Sequence, residues 1–320
     1  MTEGFTVRHP TLDDVPAILA VVEASDIATV GEPDFTADEV REVLTAPGHD
    51  PSKDSWIAAR PDGGVIAWGF IESTTGDHAL IDVYAHPDGG RPAQAPLLRL
   101  ALARMAERVR ESGLAEITVR TGAIASEEHW IGLLKASGFA FVKRYARMSR
   151  PLSGLERFPD LPDGIALRPV RPGDESDLRT VHTVLRAAFA DIPDAIRSGF
   201  EEFKATVEAL PGVSWDEWFV AEADGRAVGA LQSADQGAQD GEGWVKHLGV
   251  LREHRGKGIG RLMLLTAFAT YAAKGRSRAG LGVDLTNPTS AYRLYESVGL
   301  YPVYEADVYE RKLAAGFSPT

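Results

Sequence analysis

The sequence predicts a mixed α/β fold built twice in tandem, and three observations carry that reading. Matching segments recur at a nearly constant spacing. Arg8 answers to Arg168 and Asp14 to Asp174; Trp56-Ile57-Ala58-Ala59 and Asp62-Gly63 answer to Trp218-Phe219-Val220-Ala221 and Asp224-Gly225; Gly138-Phe139 answers to Gly299-Leu300. Offsets that stay between 160 and 162 residues are the mark of an internal duplication. Each copy also alternates short apolar runs of strand length with longer runs of helical period. Finally, 320 residues are enough for two ordinary domains. The expected division is residues 1–150, a proline-rich linker over 151–163, and residues 164–320.

The elements follow in order. Thr6-Val7-Arg8 reads as a short strand, and Thr11 caps the next helix with Asp14 three residues on. Trp56 to Ala59 and the segment after Asp62-Gly63 read as a hairpin. An apolar, periodic helix covers Leu97 to Val109. The second copy repeats this order and then departs from it. Trp244 to Val250 reads as a strand, Arg255 to Gly260 as a basic, glycine-rich turn, and the run with Leu262, Leu265, Ala269 and Ala272 as a helix. A last helix begins at Asn287, with Pro288 in its first turn, and ends at Gly299 in the left-handed conformation. Its inward face carries Ala291, Leu294, Tyr295 and Val298.

Composition narrows the function. Charged residues make up 25% and hydrophobic residues 44% of the chain, a globular balance. With no Cys, disulfides, a thiolate nucleophile and cysteine metal sites are excluded, which suits a cytoplasmic protein. No signal peptide and no membrane-spanning run is expected. A net charge of −12 argues against nucleic acid as a partner and makes the cations around Arg255 conspicuous. A monomer or homodimer is expected.

Strand, glycine turn and helix together present free backbone N–H groups to an anion, and the helix dipole adds positive potential. Gly256, Gly258 and Gly260 leave room for close approach, while Arg252, Arg255, Lys257 and Arg261 surround the turn. The natural ligand is a phosphate or pyrophosphate; the plain alternative is a tight bend. A nucleotide P-loop would need Ser or Thr after Lys257, where Gly258 stands. In the first copy the same position reads Gly90-Arg91-Pro92-Ala93-Gln94-Ala95, in which Pro92 has no N–H to offer. One site per chain is therefore expected, with the first copy structural or substrate-shaping.

Leu248-x-Val250 followed by Arg255-x-x-Gly258-x-Gly260 resembles the coenzyme loop of the GNAT acetyltransferase superfamily. Asn287-x-x-x-Ala291-x-x-Leu294-Tyr295-x-x-x-Gly299 resembles its second signature, with Leu300 in place of Phe. The resemblance implies two tandem GNAT-like domains, acetyl-CoA as cosubstrate without a metal, and transfer of the acetyl group to the amine of a small molecule in a ternary complex. It implies coenzyme contacts at Leu248, Gly249, Val250, Arg255, Gly256, Lys257, Gly258, Ile259, Gly260, Arg261, Asn287 and Tyr292. It also places Tyr295 opposite the coenzyme sulfur, and an acceptor pocket between Ala187 and Trp218. Tyr295 has a plain reading too, as a core tyrosine bonded to a backbone carbonyl. Acetyl transfer needs a neutral amine, stabilisation of the oxyanion and a proton for the leaving thiolate. A phenol of pKa about 10 can donate to a thiolate of pKa about 8.5. Many family members carry Glu two residues before the Leu; Lys246 stands there, so His247 is the nearest titratable substitute. Glu242, Asp235, Asp284 and a water chain are the other candidate bases. A non-catalytic acyl-CoA sensor or scaffold is the alternative function.

Overall fold

A computed structural model describes residues 4–33, 35–73, 78–153, 157–190, 198–210, 213–235, 237–286 and 291–314. The first half forms β1 (Thr6–Arg8), α1 (Val15–Thr29), α2 (Ala37–Thr45), α3 (Pro51–Asp54), β2 (Ser55–Ala59), β3 (Val65–Ser73), β4 (His78–Ala85), α4 (Arg91–Ser112), β5 (Glu116–Ile124), α5 (Glu128–Ala136) and β6 (Ala140–Pro151). The second forms β7 (Ile165–Pro169), α6 (Glu175–Ala188), α7 (Phe200–Glu208), β8 (Phe219–Ala223), β9 (Arg226–Ala234), β10 (Glu242–Val250), α8 (Ile259–Ala273), β11 (Arg278–Asp284), α9 (Ala291–Ser297) and β12 (Tyr301–Ala314). The expected hairpins are present. Asp224 and Gly225 take positive φ (49° and 72°), as does Gly63 (91°), which suits tight turns between twisted strands. Gly138 and Gly299 follow α5 and α9 with φ of 79° and 84°.

The compact units cut the chain differently from the duplication. One unit holds the described residues up to Arg144 together with those from Tyr304 onward; the other holds Tyr145 to Val303. Strand order is β1-β2-β3-β4-β5-β12 in the first and β6-β11-β10-β9-β8-β7 in the second. The last strand of each copy thus completes the sheet of the other. β12 runs antiparallel to β5 from Ala306↔Ile124 to Ala314↔Glu116, and β6 to β11 from Tyr145↔Asp284 to Pro151↔Arg278. Burial follows the exchange: Tyr309 and Leu313 join the first core, Ala146 and Met148 the second. Residues 151–163 therefore do not divide the units. Leu152 is itself in the second core, its N–H bonded to the Ser277 carbonyl at 2.7 Å. Alternation along a strand determines its faces and leaves its edge partner open.

In the second unit α8 covers one face of the sheet, with Met263, Ala267, Phe268 and Tyr271 buried against β8 to β11. A second core gathers α6, α7, Trp218, Val220 and Ala230. Its entry is pinned by an ion-pair cluster. Arg8 pairs with Asp14 at 2.6 Å in the first copy, but the partner of Arg168 is Asp177 at 2.9 Å, not Asp174. Asp174 instead caps α6, accepting from the N–H groups of Ser176 and Asp177. Asp177 is buried and also accepts from the backbone and guanidinium of Arg171, and these bonds hold its carboxyl far below the usual range. A lowered folded pKa stabilises the fold above the ordinary carboxylate pKa of about 4 and loses that contribution as pH falls below it. Asp177→Ala should cost about 2–3 kcal/mol in urea melts at neutral pH, and its stability should fall less steeply in acid than the parent's.

Candidate active site

The site grows out of an irregularity in β10. This strand pairs with β9 from Trp244 to Val250, but its parallel ladder with β11 runs only from Glu242↔Arg278 to Val245↔Leu281. The β9 register shifts between Val245 and His247, making the exposed Lys246 an extra, bulged residue. A bulge bends its strand, so β10 leaves β11 and a notch opens between them. The bulge also resets the faces. Val245, Leu248 and Val250 all pack with α8, although strict alternation would separate Val245 from Leu248. Gly249 backs onto α6, where a Cβ would meet that of Ala188 at 2.8 Å. His247 shares that side, its ring 6.3 Å from Phe189. The Leu251 N–H is bonded toward β9, to the Val228 carbonyl at 2.9 Å. Alternation then turns the amides of Leu248 and Val250 toward the notch.

The glycine turn continues from the notch. Gly256 and Gly258 have φ of 75° and 79°, and an added Cβ at either would meet nothing within 4 Å. Glycine is needed there for backbone conformation, in a segment open to solvent. The first ladder bond of α8 runs from the Leu262 N–H to the Gly258 carbonyl (2.9 Å), so the amides of Ile259, Gly260 and Arg261 precede it. Lys257 and Arg261 are exposed beside them, while the Ile259 side chain anchors the turn in the core. Two of these residues also do structural work. A Cβ on Gly260 would stand 3.1 Å from Leu294 Cδ2, so this glycine lets α9 pack on α8. The Arg255 guanidinium donates to the carbonyls of Val250 (3.0 Å) and Ala188 (2.7 Å), which braces the turn against β10 and α6. Open positive-φ glycines, free amides and two exposed cations fit an anionic pyrophosphate.

Tyr295 and Tyr292 on α9 pack partly buried against the α8 core. The Tyr295 hydroxyl makes no hydrogen bond to any described residue, and burial pushes the phenol up to about 12. Among the described residues there is no backbone carbonyl bonded to this hydroxyl of the kind the plain core reading expects. Asn287 lies outside the described residues. Burial, and then Lys246, push His247 down to about 4, and its Nδ1 lies 2.8 Å from Gln232 Oε1. The other candidate bases are engaged elsewhere. Glu242 pairs with Arg147 at 2.6 Å, Asp235 accepts from Ser214, and Asp284 accepts from the N–H and hydroxyl of Thr286.

The acetyltransferase (GNAT) domain family matches residues 214–299, a span that contains the bulge, the turn and α9. Mycothiol acetyltransferase of Streptomyces avermitilis is 30% identical over 284 residues, covering 79% of this chain and 88% of that protein. The chain belongs to the GNAT acetyltransferases. Mycothiol acetyltransferase of Thermobispora bispora is 34% identical over 184 residues, and that match spans 60% of its length. Among solved structures, a GCN5-related N-acetyltransferase from Sphaerobacter thermophilus superposes with a TM-score of 0.82 at 25% identity, covering 98% of this chain and 97% of that one. A tandem GNAT protein from the clavulanic acid biosynthesis pathway shares the fold, with a TM-score of 0.68 at 17% identity over 98% of this chain.

As a GNAT protein the chain is an acetyl-transferring enzyme of tandem mixed-sheet architecture, and members of the family use acetyl-CoA as cosubstrate. Among the described residues no acidic, His or Cys cluster could hold a metal, and no helix is long and apolar enough to cross a membrane. The first unit repeats the notch, its β4–β5 ladder ending at Leu80↔Arg120, but not the GNAT turn. Gly90 is packed so closely that a Cβ would lie 2.2 Å from the Ile66 carbonyl oxygen, and Pro92 occupies the first turn of α4. The bulge at Lys246, the Arg255 brace and Gln232 escaped the sequence reading. Gln232 left a signal, a buried polar residue inside an apolar strand.

Proposed function

We propose that the second unit transfers an acetyl group from acetyl-CoA to the primary amine of a small molecule, at one site per chain. The observation that carries this reading is the open, amide-lined turn between β10 and α8, with α9, the helix that bears Tyr295, packed against the start of α8 through Gly260 and Leu294. When bound, acetyl-CoA supplies a thioester acyl group already activated for transfer. The Ile259, Gly260 and Arg261 amides, with Lys257 and Arg261, would hold its phosphates. The Leu248 and Val250 amides stand ready as donors where the carbonyl oxygen gains negative charge. Tyr295, protonated at neutral pH, would donate its O–H to the departing sulfur. His247 stays neutral, and at about 4 it is too weak to strip an ordinary ammonium. With Nδ1–H donating to Gln232, its role is to accept an N–H from the acceptor through Nε2, while water removes the proton. Asn287 and Tyr292 would add coenzyme contacts from the neighbouring segment.

The names of the relatives make a mycothiol-related amine the first acceptor to test. Thiol release from acetyl-CoA across an amine panel containing such a compound should show turnover. Tight coenzyme binding without turnover would favour a sensor. Calorimetry should give one coenzyme A per chain, and two equivalent sites would overturn the single-site reading.

A further inference from the structure

The first unit has the close-packed Gly90 and Pro92 where the second has its open glycine turn, yet it keeps its notch, and a solvent-open cavity of about 280 Å³ lies there. The cavity lies where β4 and β5 have parted, beyond Leu80↔Arg120, with α1, α5 and β12 contributing to its walls. Its lining combines two chemistries. Three acidic residues line it, Asp26, Asp82 and Glu127, and its described lining holds no Lys, Arg or His. Aromatic rings make up much of the remaining wall: Phe35, Tyr84, Trp130 and Tyr304. Phe35 and Tyr84 stand 6.0 Å apart, and Trp130 is fixed by donating its Nε1–H to the Gly122 carbonyl at 3.0 Å.

We propose that this cavity binds a small organic cation, a protonated amine on a compact apolar frame. Ring faces attract an ammonium through their quadrupoles, and a desolvated carboxylate adds a charge-assisted hydrogen bond. The carboxylates are placed to gain from such a guest. Burial, and then the nearby Glu72 and Glu127, push Asp82 up to about 6, with the Gly122 N–H across the parted strands opposing the shift. Burial raises Glu127 as well, with Asp26 adding to the effect and Arg91 opposing it. Carboxyls that resist ionisation in one another's presence ionise more readily when a cation enters between them. The same lining opposes a phosphate. Glu127 sits at the start of α5, with one carboxylate oxygen accepting from the Ile124 N–H at 2.8 Å, so negative charge occupies the helix end that would otherwise draw an anion. The first copy has thus exchanged a site for an anion for one suited to a cation. This inference stands apart from the chemistry assigned to the second unit.

The test is calorimetry on the full chain at neutral pH with benzylamine, and with benzyl alcohol and benzoate as neutral and anionic isosteres. Benzylamine should bind at least about tenfold more tightly than either isostere. Asp82→Asn and Glu127→Gln, which keep the side-chain shape and remove the charge, should weaken benzylamine about tenfold or more while coenzyme A affinity stays at the parent value. Gly258→Asp, which alters the other unit, should leave benzylamine binding intact. Benzylamine that fails to bind, binds no better than benzyl alcohol, or is lost with Gly258→Asp would overturn the proposal. So would undiminished binding to both carboxamide variants, with thermal melts confirming that each is folded.

Discussion

Gly258→Asp is expected to abolish measurable coenzyme A binding, a loss of at least about a hundredfold, or about 2.7 kcal/mol. Three effects act at one atom position. The residue has a φ of 79°, so any side chain carries a left-handed strain of about 1–2 kcal/mol, least for Asn and Asp. An added Cβ meets nothing within 4 Å, so it enters the space in front of the turn and not the core. The carboxylate then stands beside the amides of Ile259 to Arg261, where it takes the place of the ligand's charge and repels a pyrophosphate. The fold should survive, because a carboxylate at a helix start is favourable. Gly258→Ala separates the parts: it keeps the strain and bulk without the charge, and should bind with intermediate affinity. Parent-like affinity in a folded Gly258→Asp chain would remove the turn from the coenzyme site.

Tyr295→Phe should lower kcat by about 10²–10⁴-fold, the range of a positioned proton donor. The ring and its packing against α8 are retained, so coenzyme affinity should change little. Stability separates this role from a structural one. A hydroxyl bonded in the core would cost roughly 1 kcal/mol on removal. The Tyr295 hydroxyl has no partner among the described residues, so the Phe variant should melt at or above the parent temperature. A phenol held near 12 also bears on the chemistry. Complete proton transfer to a thiolate of pKa about 8.5 runs uphill, so in the proposed reaction Tyr295 would act by hydrogen bonding as charge develops on sulfur, and the proton that water takes from the amine would complete the thiol. Turnover within a few-fold of the parent would exclude this function for Tyr295.

Sequence by itself was enough for whatever depends on local torsions and periodicity. Asp224-Gly225 and Gly63 require positive φ at tight turns, Thr11 with Asp14 starts a helix, and Gly299 ends one, so these segments declare their conformations wherever they are placed. The duplication, the glycine turn of the second copy and its loss around Pro92 were legible for the same reason. Tertiary structure alone decided which strand completes which sheet. β6 and β12 have ordinary alternation, and nothing in that pattern distinguishes the edge of β5 from the edge of β11. It also decided the site's details. The bulge at Lys246 depends on pairing with β9, and the carbonyls that Arg255 braces come from two separate elements. The titration of His247 and Tyr295 follows from burial by neighbours distant in sequence, as does the gathering of Asp26, Asp82 and Glu127 around one cavity. Desolvation and charge act through space, so a chain read residue by residue holds the groups but not the field they share.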